Sequence, residues 1–233
     1  MIRSIIIEGI DGLGKSTLIK GLMNRLGYFQ VIHYQKPEML DCIIKDIRRG
    51  LDLPDSIMNE NLKSMSLKKY QNDAFLNMMK MLSSDATFIL DRSHIGEFIY
   101  APRYRGYKGD YVFELEKQFN FIDSTLLIVL HTSSFDFIKD DGLSLDFEQR
   151  EDEQMDFIRA FEKSNIKHKL LLDVHNSKGN FVSSDRLIRV VIQAIHELPL
   201  MEYQIMHTYW EYDDNLDLNS KTYLLPDSNK IIN

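Results

Sequence analysis

Short apolar runs alternate with amphipathic stretches along most of the chain. The apolar runs are rich in β-branched residues and predict five strands, at Ile2–Glu8, Phe29–Tyr34, Ala86–Leu90, Thr125–His131 and Lys169–Val174. Helical periodicity between them predicts helices at Lys15–Leu26, Met39–Arg49, Glu60–Leu82, Phe147–Ser164 and Asp185–Leu198. This alternation is typical of a mostly parallel sheet with helices on both faces. We therefore expect a three-layer α/β fold with a mostly five-stranded parallel sheet.

The alternation stops at Pro199. We predict one domain over residues 1–198 and a C-terminal extension over residues 199–233. The extension is polar, yet it holds more aromatic side chains than a purely disordered tail would. Its aromatic residues include Tyr203, Trp210, Tyr212 and Tyr223. We expect it to pack as an appendage or to contact a partner.

Composition narrows the class of protein. The chain has 233 residues, 44% of them hydrophobic, and a net charge of −7, which suits one enzyme-like domain. No apolar run approaches the roughly 20 residues that cross a bilayer, so no membrane partner is expected. Cys42 is the only cysteine, which favours a reducing, cytoplasmic location. The acidic balance argues against nucleic acid as the main partner.

A glycine-rich loop lies between the first predicted strand and the first predicted helix. The run Gly9-Ile10-Asp11-Gly12-Leu13-Gly14-Lys15-Ser16 fits the pattern GxxxxGK[ST] in full. Backbone N–H groups of such a loop cradle the β- and γ-phosphates of ATP, so we expect a P-loop NTPase fold. Lys15 would neutralise charge on the transferred group, and the Ser16 hydroxyl would ligate Mg²⁺. The predicted ATP-binding residues are Gly9, Asp11, Gly12, Leu13, Gly14, Lys15, Ser16 and Thr17.

An acidic and a basic residue, Asp91 and Arg92, follow the third predicted strand directly. Ligands of open parallel sheets bind outside the carboxyl ends of the strands, so this pair should lie near the glycine-rich loop. The aspartate can hold Mg²⁺ and the arginine can clamp a phosphate. We therefore predict Lys15, Asp91 and Arg92 as catalytic residues, with Ser16 and Asp91 at the metal.

Together, the loop at residues 7–17 and the segment Asp91–Tyr100 resemble the thymidylate kinase family of nucleoside monophosphate kinases. The similarity is weak and runs from Ile2 to about Leu198, and the Gly96-Glu97 variant resembles virus-encoded members. The resemblance implies an ATP–Mg²⁺ donor, a deoxynucleoside monophosphate acceptor and a possible homodimer. It assigns Asp11 to the 3′-hydroxyl of the sugar, Asp91 to the metal and substrate phosphate, and Arg92 to the acceptor phosphate. Tyr100 would lie near the sugar 2′ position and disfavour ribonucleotides.

The chain departs from this family where the acceptor would bind. Ser93 stands where the family usually has a tyrosine, and Lys36 would replace a phosphate-binding arginine of bacterial members. Tyr70 is a candidate to stack on the base. Ala74, however, occupies the position of the base-reading arginine, with the amide of Asn72 nearby. The sequence therefore does not decide whether the base of the acceptor is thymine or a related one.

The segment expected to form a lid also departs from the family, because residues 139–144 contain no arginine. The nearest candidates to supply one are Arg103, Arg105, Arg150 and Arg159. Gly106 and Gly109 predict a mobile loop that closes over substrate. The predicted substrate-binding residues are Asp11, Lys36, Tyr70, Asn72, Arg92, Tyr100 and Arg150.

Three alternatives remain at this point. A deoxynucleoside kinase would need a carboxylate base near the acceptor hydroxyl, and Glu38 or Glu97 could serve. A kinase acting on a modified base within DNA is disfavoured by the acidic charge. A nucleotide-binding module without catalysis is the third alternative.

Overall fold

The computed structural model describes residues 1–34, 60–136, 138, 147–175, 180–200 and 205–208. Its helices are α1 (Lys15–Leu26), α2 (Glu60–Leu82), α3 (Ile95–Tyr104), α4 (Tyr111–Glu116), α5 (Phe147–Lys163) and α6 (Ser184–Glu197). Its strands are β1 (Ser4–Glu8), β2 (Gln30–His33), β3 (Phe88–Asp91), β4 (Thr125–His131), β5 (His168–Asp173) and β6 (Ile205–Thr208). The predicted helix Met39–Arg49 and most of the predicted extension lie outside the described residues.

The strands form one sheet in the order β2-β3-β1-β4-β5-β6, and every neighbouring pair is parallel. The five predicted strands and the α/β fold are confirmed. A short sixth strand, β6, which was not predicted, pairs with β5 at the edge of the sheet. This strand has only four residues, two of them polar, and therefore lacks the apolar run that marks the buried strands.

Strand β1 occupies the middle of the sheet. Ile5 lies opposite Ile89 of β3 on one side and Leu126 of β4 on the other. All five β1 residues are buried, which explains the continuous apolar run that predicted the strand. The carboxyl end of β1 therefore lies in the middle of one edge of the sheet, between the carboxyl ends of β3 and β4.

Helix α5 is fastened to the end of β4 by a side-chain amide. The Gln154 side chain accepts a hydrogen bond from the backbone N–H of Thr132 (2.8 Å) and donates one to its carbonyl (3.0 Å). Both residues are buried. The amide thus satisfies backbone groups that would otherwise be left unpaired where the strand ends.

Helices α3 and α4 were not predicted, and the loop between them corrects an expectation. A Cβ at Gly109 would lie 2.3 Å from the carbonyl oxygen of Glu97, so the loop packs directly on α3. Buried Glu97 accepts hydrogen bonds from Tyr107 (2.6 Å) and Tyr111 (3.0 Å) and pairs with buried Arg105. A buried carboxylate needs such donors, so these bonds hold the loop against α3. The loop that was predicted to be mobile is therefore packed. Among the described helices, none is long and apolar enough to span a membrane.

Candidate functional site

The glycine-rich loop turns at the carboxyl end of β1 and leads into α1. Gly9 has φ 130°, and a Cβ there would lie 2.5 Å from the carbonyl oxygen of Leu130 in β4. Gly14, with φ 82°, lies immediately before Lys15, the first residue of α1. The loop therefore presents backbone N–H groups and a helix N-terminus at the same place, which is the arrangement that binds phosphate.

The ammonium group of Lys15 lies inside the curve of this loop. It donates hydrogen bonds to the carbonyl oxygens of Gly9 (2.7 Å) and Ile10 (2.6 Å), and it lies 3.6 Å from the Asp11 carboxylate. The side chain is only 7% exposed, and burial lowers the pKa of Lys15. The loop thus holds a cation where phosphates would be bound.

The guanidinium of Arg92 reaches the same loop from the end of β3. Its Nη2 lies 2.5 Å from Oδ1 of Asp11. The neighbouring Asp91 carboxylate lies 2.9 Å from Nδ1 of His33 at the end of β2. The predicted residues Asp11, Lys15, Asp91 and Arg92 are therefore all brought together at one sheet edge.

A buried carboxylate, Glu8, lies at the last position of β1. Ser93 Oγ donates a hydrogen bond to its Oε1 (2.7 Å), and both side chains are buried. Burial raises the pKa of Glu8, whereas the Ser93 hydroxyl and the charges of Arg92 and Lys15 lower it. No role was predicted for this group from the sequence. The signal was present, since Glu8 is an acidic residue at the end of an otherwise apolar strand.

Tyr100 lies in α3, the helix that begins three residues after Arg92. Its hydroxyl donates a hydrogen bond to Glu153 of α5 (2.7 Å), and burial raises the pKa of this phenol. The hydroxyl is thus engaged with α5, and the ring packs edge-on against Phe157 of the same helix.

The other predicted site residues lie in different surroundings. Tyr70 is exposed on α2 and Asn72 is half-buried there, whereas Gln71 between them accepts a hydrogen bond from the Tyr34 hydroxyl (3.1 Å). Arg150 is half-buried near the start of α5. Lys36 lies outside the described residues.

The candidate arginines for a lid are mostly engaged in ion pairs of the fold. Arg103 lies 2.6 Å and Arg159 lies 2.9 Å from carboxylate oxygens of the same residue, Asp156. Arg105 is buried against Glu97. Each of these three guanidiniums therefore has a carboxylate partner within α3 or α5.

The residues predicted to hold Mg²⁺ offer the oxygen donors that this ion prefers. The Ser16 side chain is exposed in the first turn of α1, and the Asp91 side chain is 15% exposed at the end of β3. In the part of the chain that the structure describes, no group of three or more His, Cys, Asp or Glu residues is placed to hold a metal. Ser16 and Asp91 therefore fit an ion that is held by one hydroxyl, one carboxylate and the phosphates of a substrate.

The fold and the loop define a P-loop nucleotide-binding protein. The profile of the family AAA_28, described as an AAA domain, matches residues 4–175, and the chain belongs to this family. No curated protein matches the chain.

Solved structures share the fold at low identity. The Bacillus subtilis YorR protein, solved in complex with phosphorylated GDP, is 17% identical, with 82% of this chain and 95% of that chain covered and a TM-score of 0.53. Thymidylate kinase from Ehrlichia chaffeensis is 16% identical, with 83% and 98% covered and a TM-score of 0.50. Deoxyadenosine kinase from M. mycoides is 16% identical, with 83% and 100% covered and a TM-score of 0.49.

Proposed function

We propose that this protein transfers the γ-phosphoryl group of ATP to the 5′-phosphate of a deoxynucleoside monophosphate, dTMP or a related one. One observation carries the proposal. Two cations from different elements, Lys15 of the loop and Arg92 of the β3 end, both approach the Asp11 carboxylate, at 3.6 Å and 2.5 Å. Transfer between two phosphates relies on positioning and on neutralising their charge, which two cations side by side can supply.

The donor nucleotide would bind on the loop. The β- and γ-phosphates accept hydrogen bonds from loop N–H groups and from the first turn of α1, and Lys15 neutralises charge on the γ-phosphate. The Ser16 hydroxyl and the Asp91 carboxylate would hold Mg²⁺, which when bound neutralises charge on the donor phosphates. ATP–Mg²⁺ is therefore the proposed donor.

The acceptor would bind on the β3 side of the loop. Arg92 holds its 5′-phosphate, and Asp11 accepts a hydrogen bond from its 3′-hydroxyl. Tyr100 lies against the sugar. The remaining proposed contacts, made to the base or to the phosphates, come from Lys36, Tyr70, Asn72 and Arg150.

The proposed reaction needs positioning more than covalent help from the protein. A terminal oxygen of the acceptor phosphate attacks the γ-phosphorus in line and forms the new P–O bond. The bond from that phosphorus to the β–γ bridging oxygen breaks, and ADP leaves with the electron pair. Near neutral pH a phosphate monoester is already largely deprotonated, so no general base is required. Lys15 and Arg92 stabilise the charge on the transferred group.

One contact disfavours a nucleoside as acceptor. A hydroxyl acceptor needs a carboxylate base, and Glu97 was one candidate. Its side chain is fully buried, accepts hydrogen bonds from Tyr107 and Tyr111 and pairs with Arg105, so it is committed to the fold. The other candidate, Glu38, lies outside the described residues. Two structural neighbours, a thymidylate kinase and a protein solved with phosphorylated GDP, add support for a phosphate acceptor.

The test is a panel of acceptors offered with ATP and Mg²⁺. It includes the four deoxynucleoside monophosphates, their ribonucleotide forms, the four deoxynucleosides and a 3′-deoxy monophosphate. ADP release and product identity are measured together. We expect a diphosphate product from at least one deoxynucleoside monophosphate, and weaker transfer to its 3′-deoxy form. Transfer to nucleosides alone, or to none of the compounds, would overturn the proposal.

A further inference from the structure

Arg92, the residue proposed to bind the acceptor phosphate, has an unfavourable backbone conformation. Its φ is 70°, and it is the one non-glycine residue with positive φ in the part of the chain that the structure describes. A side chain with a Cβ is strained in this left-handed region, where glycine or asparagine is usual. Something in the surrounding structure must therefore hold the turn.

On its amino-terminal side the turn is held by the sheet. Asp91 lies in register with Ile7 of β1, and the backbone N–H of Arg92 donates to the carbonyl of Ile7 (3.2 Å). Sheet pairing therefore fixes where the turn begins. It does not fix the residues that follow Arg92, so a second contact is needed there.

On the other side the nearest contact is the Ser93 hydroxyl, and the next residue, buried His94, lies 2.7 Å from Glu116. Ser93 Oγ donates to Glu8 Oε1 (2.7 Å) and accepts from the backbone N–H of Ile95 (3.2 Å). It thus joins the end of β1, the strained turn and the start of α3. Ser93 is 4% exposed and Glu8 is 1% exposed, so water does not compete for these bonds.

We propose that Ser93 is a positioning residue, which holds Arg92 toward the phosphate loop by anchoring the turn to the buried Glu8 carboxylate. The inference rests on the proposed function, in which Arg92 binds the acceptor phosphate. Ser93 itself does not contact substrate. Without its hydroxyl, Glu8 loses a buried donor, and the left-handed turn at Arg92 loses its nearest carboxyl-side anchor. The guanidinium is then no longer held at the 2.5 Å separation from Asp11.

The chain contains a matched control for this contact. Ser164 Oγ donates to buried Glu116 (2.8 Å) and accepts from the backbone N–H two residues later, that of Ile166 (3.2 Å). Ser164 is 5% exposed. The chemistry and the burial are those of Ser93, but the residues next to Ser164 bind no phosphate, and Glu116 keeps its hydrogen bonds with His94 and Asn165 when the Ser164 hydroxyl is removed. A purely structural role would give the two serines the same consequences.

The experiment compares Ser93→Ala, Ser93→Thr and Ser164→Ala by steady-state kinetics with the acceptor found for the wild type. We expect Ser93→Ala to raise the KM for the acceptor about tenfold, because the free energy of one buried hydrogen bond corresponds to about that factor. The KM for ATP should stay within about twofold of the wild-type value. Ser93→Thr keeps the hydroxyl and should restore the acceptor KM. Ser164→Ala should also lower the midpoint of chemical denaturation, but with both KM values unchanged.

Two results would overturn the inference. One is an unchanged acceptor KM in Ser93→Ala, and the other is an equal rise of both KM values. If the wild type transfers phosphate to no acceptor, the proposed function fails instead. Hydrogen exchange of the Arg92 amide in the full chain then decides the positioning role. We expect about tenfold faster exchange in Ser93→Ala than in Ser164→Ala, and equal rates would contradict it.

Discussion

Arg92 and Asp11 form an ion pair between the end of β3 and the phosphate loop, with Nη2 2.5 Å from Oδ1. The two residues are far apart in the sequence and belong to two motifs that were recognised separately. In the proposed function, their contact places the cation for the acceptor phosphate beside the loop that binds the donor. The predictions below follow from this site and from the packing around it.

Removing the guanidinium of Arg92 should impair catalysis. We expect Arg92→Ala to lower kcat/KM for the acceptor about 100-fold or more, because a charge-stabilising group at the transferred phosphate is lost. Arg3→Ala is the control, since Arg3 makes an ion pair of the same length, 2.5 Å, with Asp85. Arg3 lies at the opposite end of β1, so its variant should retain wild-type kinetics. Equal losses in the two variants would contradict the assignment.

Lys15 should be needed for turnover more than for folding. We expect Lys15→Ala to lower kcat by about 100-fold or more, because the charge on the γ-phosphate is no longer neutralised. Turnover at saturating ATP and thermal unfolding are measured together. Lys20→Ala, on the exposed side of α1, serves as the control. A folded Lys15→Ala protein with near wild-type kcat would rule out the proposed role.

Discrimination against ribonucleotides should depend on the ring of Tyr100 and not on its hydroxyl. The hydroxyl is already bonded to Glu153, so only the ring is free to exclude a 2′-hydroxyl. We expect Tyr100→Phe to keep the ratio of kcat/KM between deoxyribonucleotide and ribonucleotide within about threefold. Tyr100→Ala should lower that ratio about tenfold or more, the effect of a specific pocket contact. A large change in Tyr100→Phe would show that the hydroxyl reads the sugar.

The buried carboxylate of Glu116 should make stability depend on pH. Burial alone would raise its pKa, but hydrogen bonds from His94, Asn165 and Ser164 hold the pKa of Glu116 below its ordinary value of 4.5. The folded state therefore binds fewer protons than the unfolded state. The stabilisation from Glu116 is complete above pH 4.5 and is lost as the pH falls below it.

This dependence can be isolated by comparing two glutamates of α4. The free energy of unfolding is measured in denaturant from about pH 6 to about pH 3.5, the range in which such a carboxylate titrates. We expect the wild type to lose more stability toward low pH than Glu116→Gln. Glu114→Gln, at an exposed position, should follow the wild type. Parallel curves for wild type and Glu116→Gln would contradict the prediction.

The loop after α3 should tolerate no side chain at Gly109. A Cβ there would lie 2.3 Å from the carbonyl oxygen of Glu97 and 2.5 Å from the Cα of Phe98, and backbone atoms cannot move aside cheaply. We expect Gly109→Ala to lower the free energy of unfolding by about 1–3 kcal/mol. Gly27→Ala meets no atom within 4 Å and should cost only the strain of its left-handed φ of 61°, about 1 kcal/mol. Denaturant midpoints compare the two variants, and equal losses would contradict the packing argument.

The features that the sequence predicted are those encoded locally. The phosphate loop is a motif between a buried strand and a helix, and the bounds of β4 and α2 agree with the predicted Thr125–His131 and Glu60–Leu82. In each case neighbouring residues carry the whole pattern. Helix α3 was not predicted, because Pro102 lies inside it and interrupts the local helical signal.

The contacts that position the site could not be predicted, since they join residues distant in sequence. Tyr100 meets Glu153 across 53 positions, and Ser93 meets Glu8 across 85. Which carboxylate receives which donor is decided by how α3 packs on α5 and on the sheet. A single sequence shows only that a polar residue is present, and the packing determines whether it is buried with a partner.

The amide of Gln154 has a consequence for how this protein could diverge. It joins both backbone groups of Thr132, 22 positions earlier, and so closes the base of the intervening segment with two hydrogen bonds. The entropy of closing a chain segment grows only slowly with its length, so residues added or removed between these points would cost little. Ile138, within that segment, lies against Gly12 of the phosphate loop, and Glu153 of α5 bonds Tyr100. Relatives could therefore differ in length between Ile138 and the start of α5 at Phe147, while the two hydrogen bonds of Gln154 keep α5 at the end of β4.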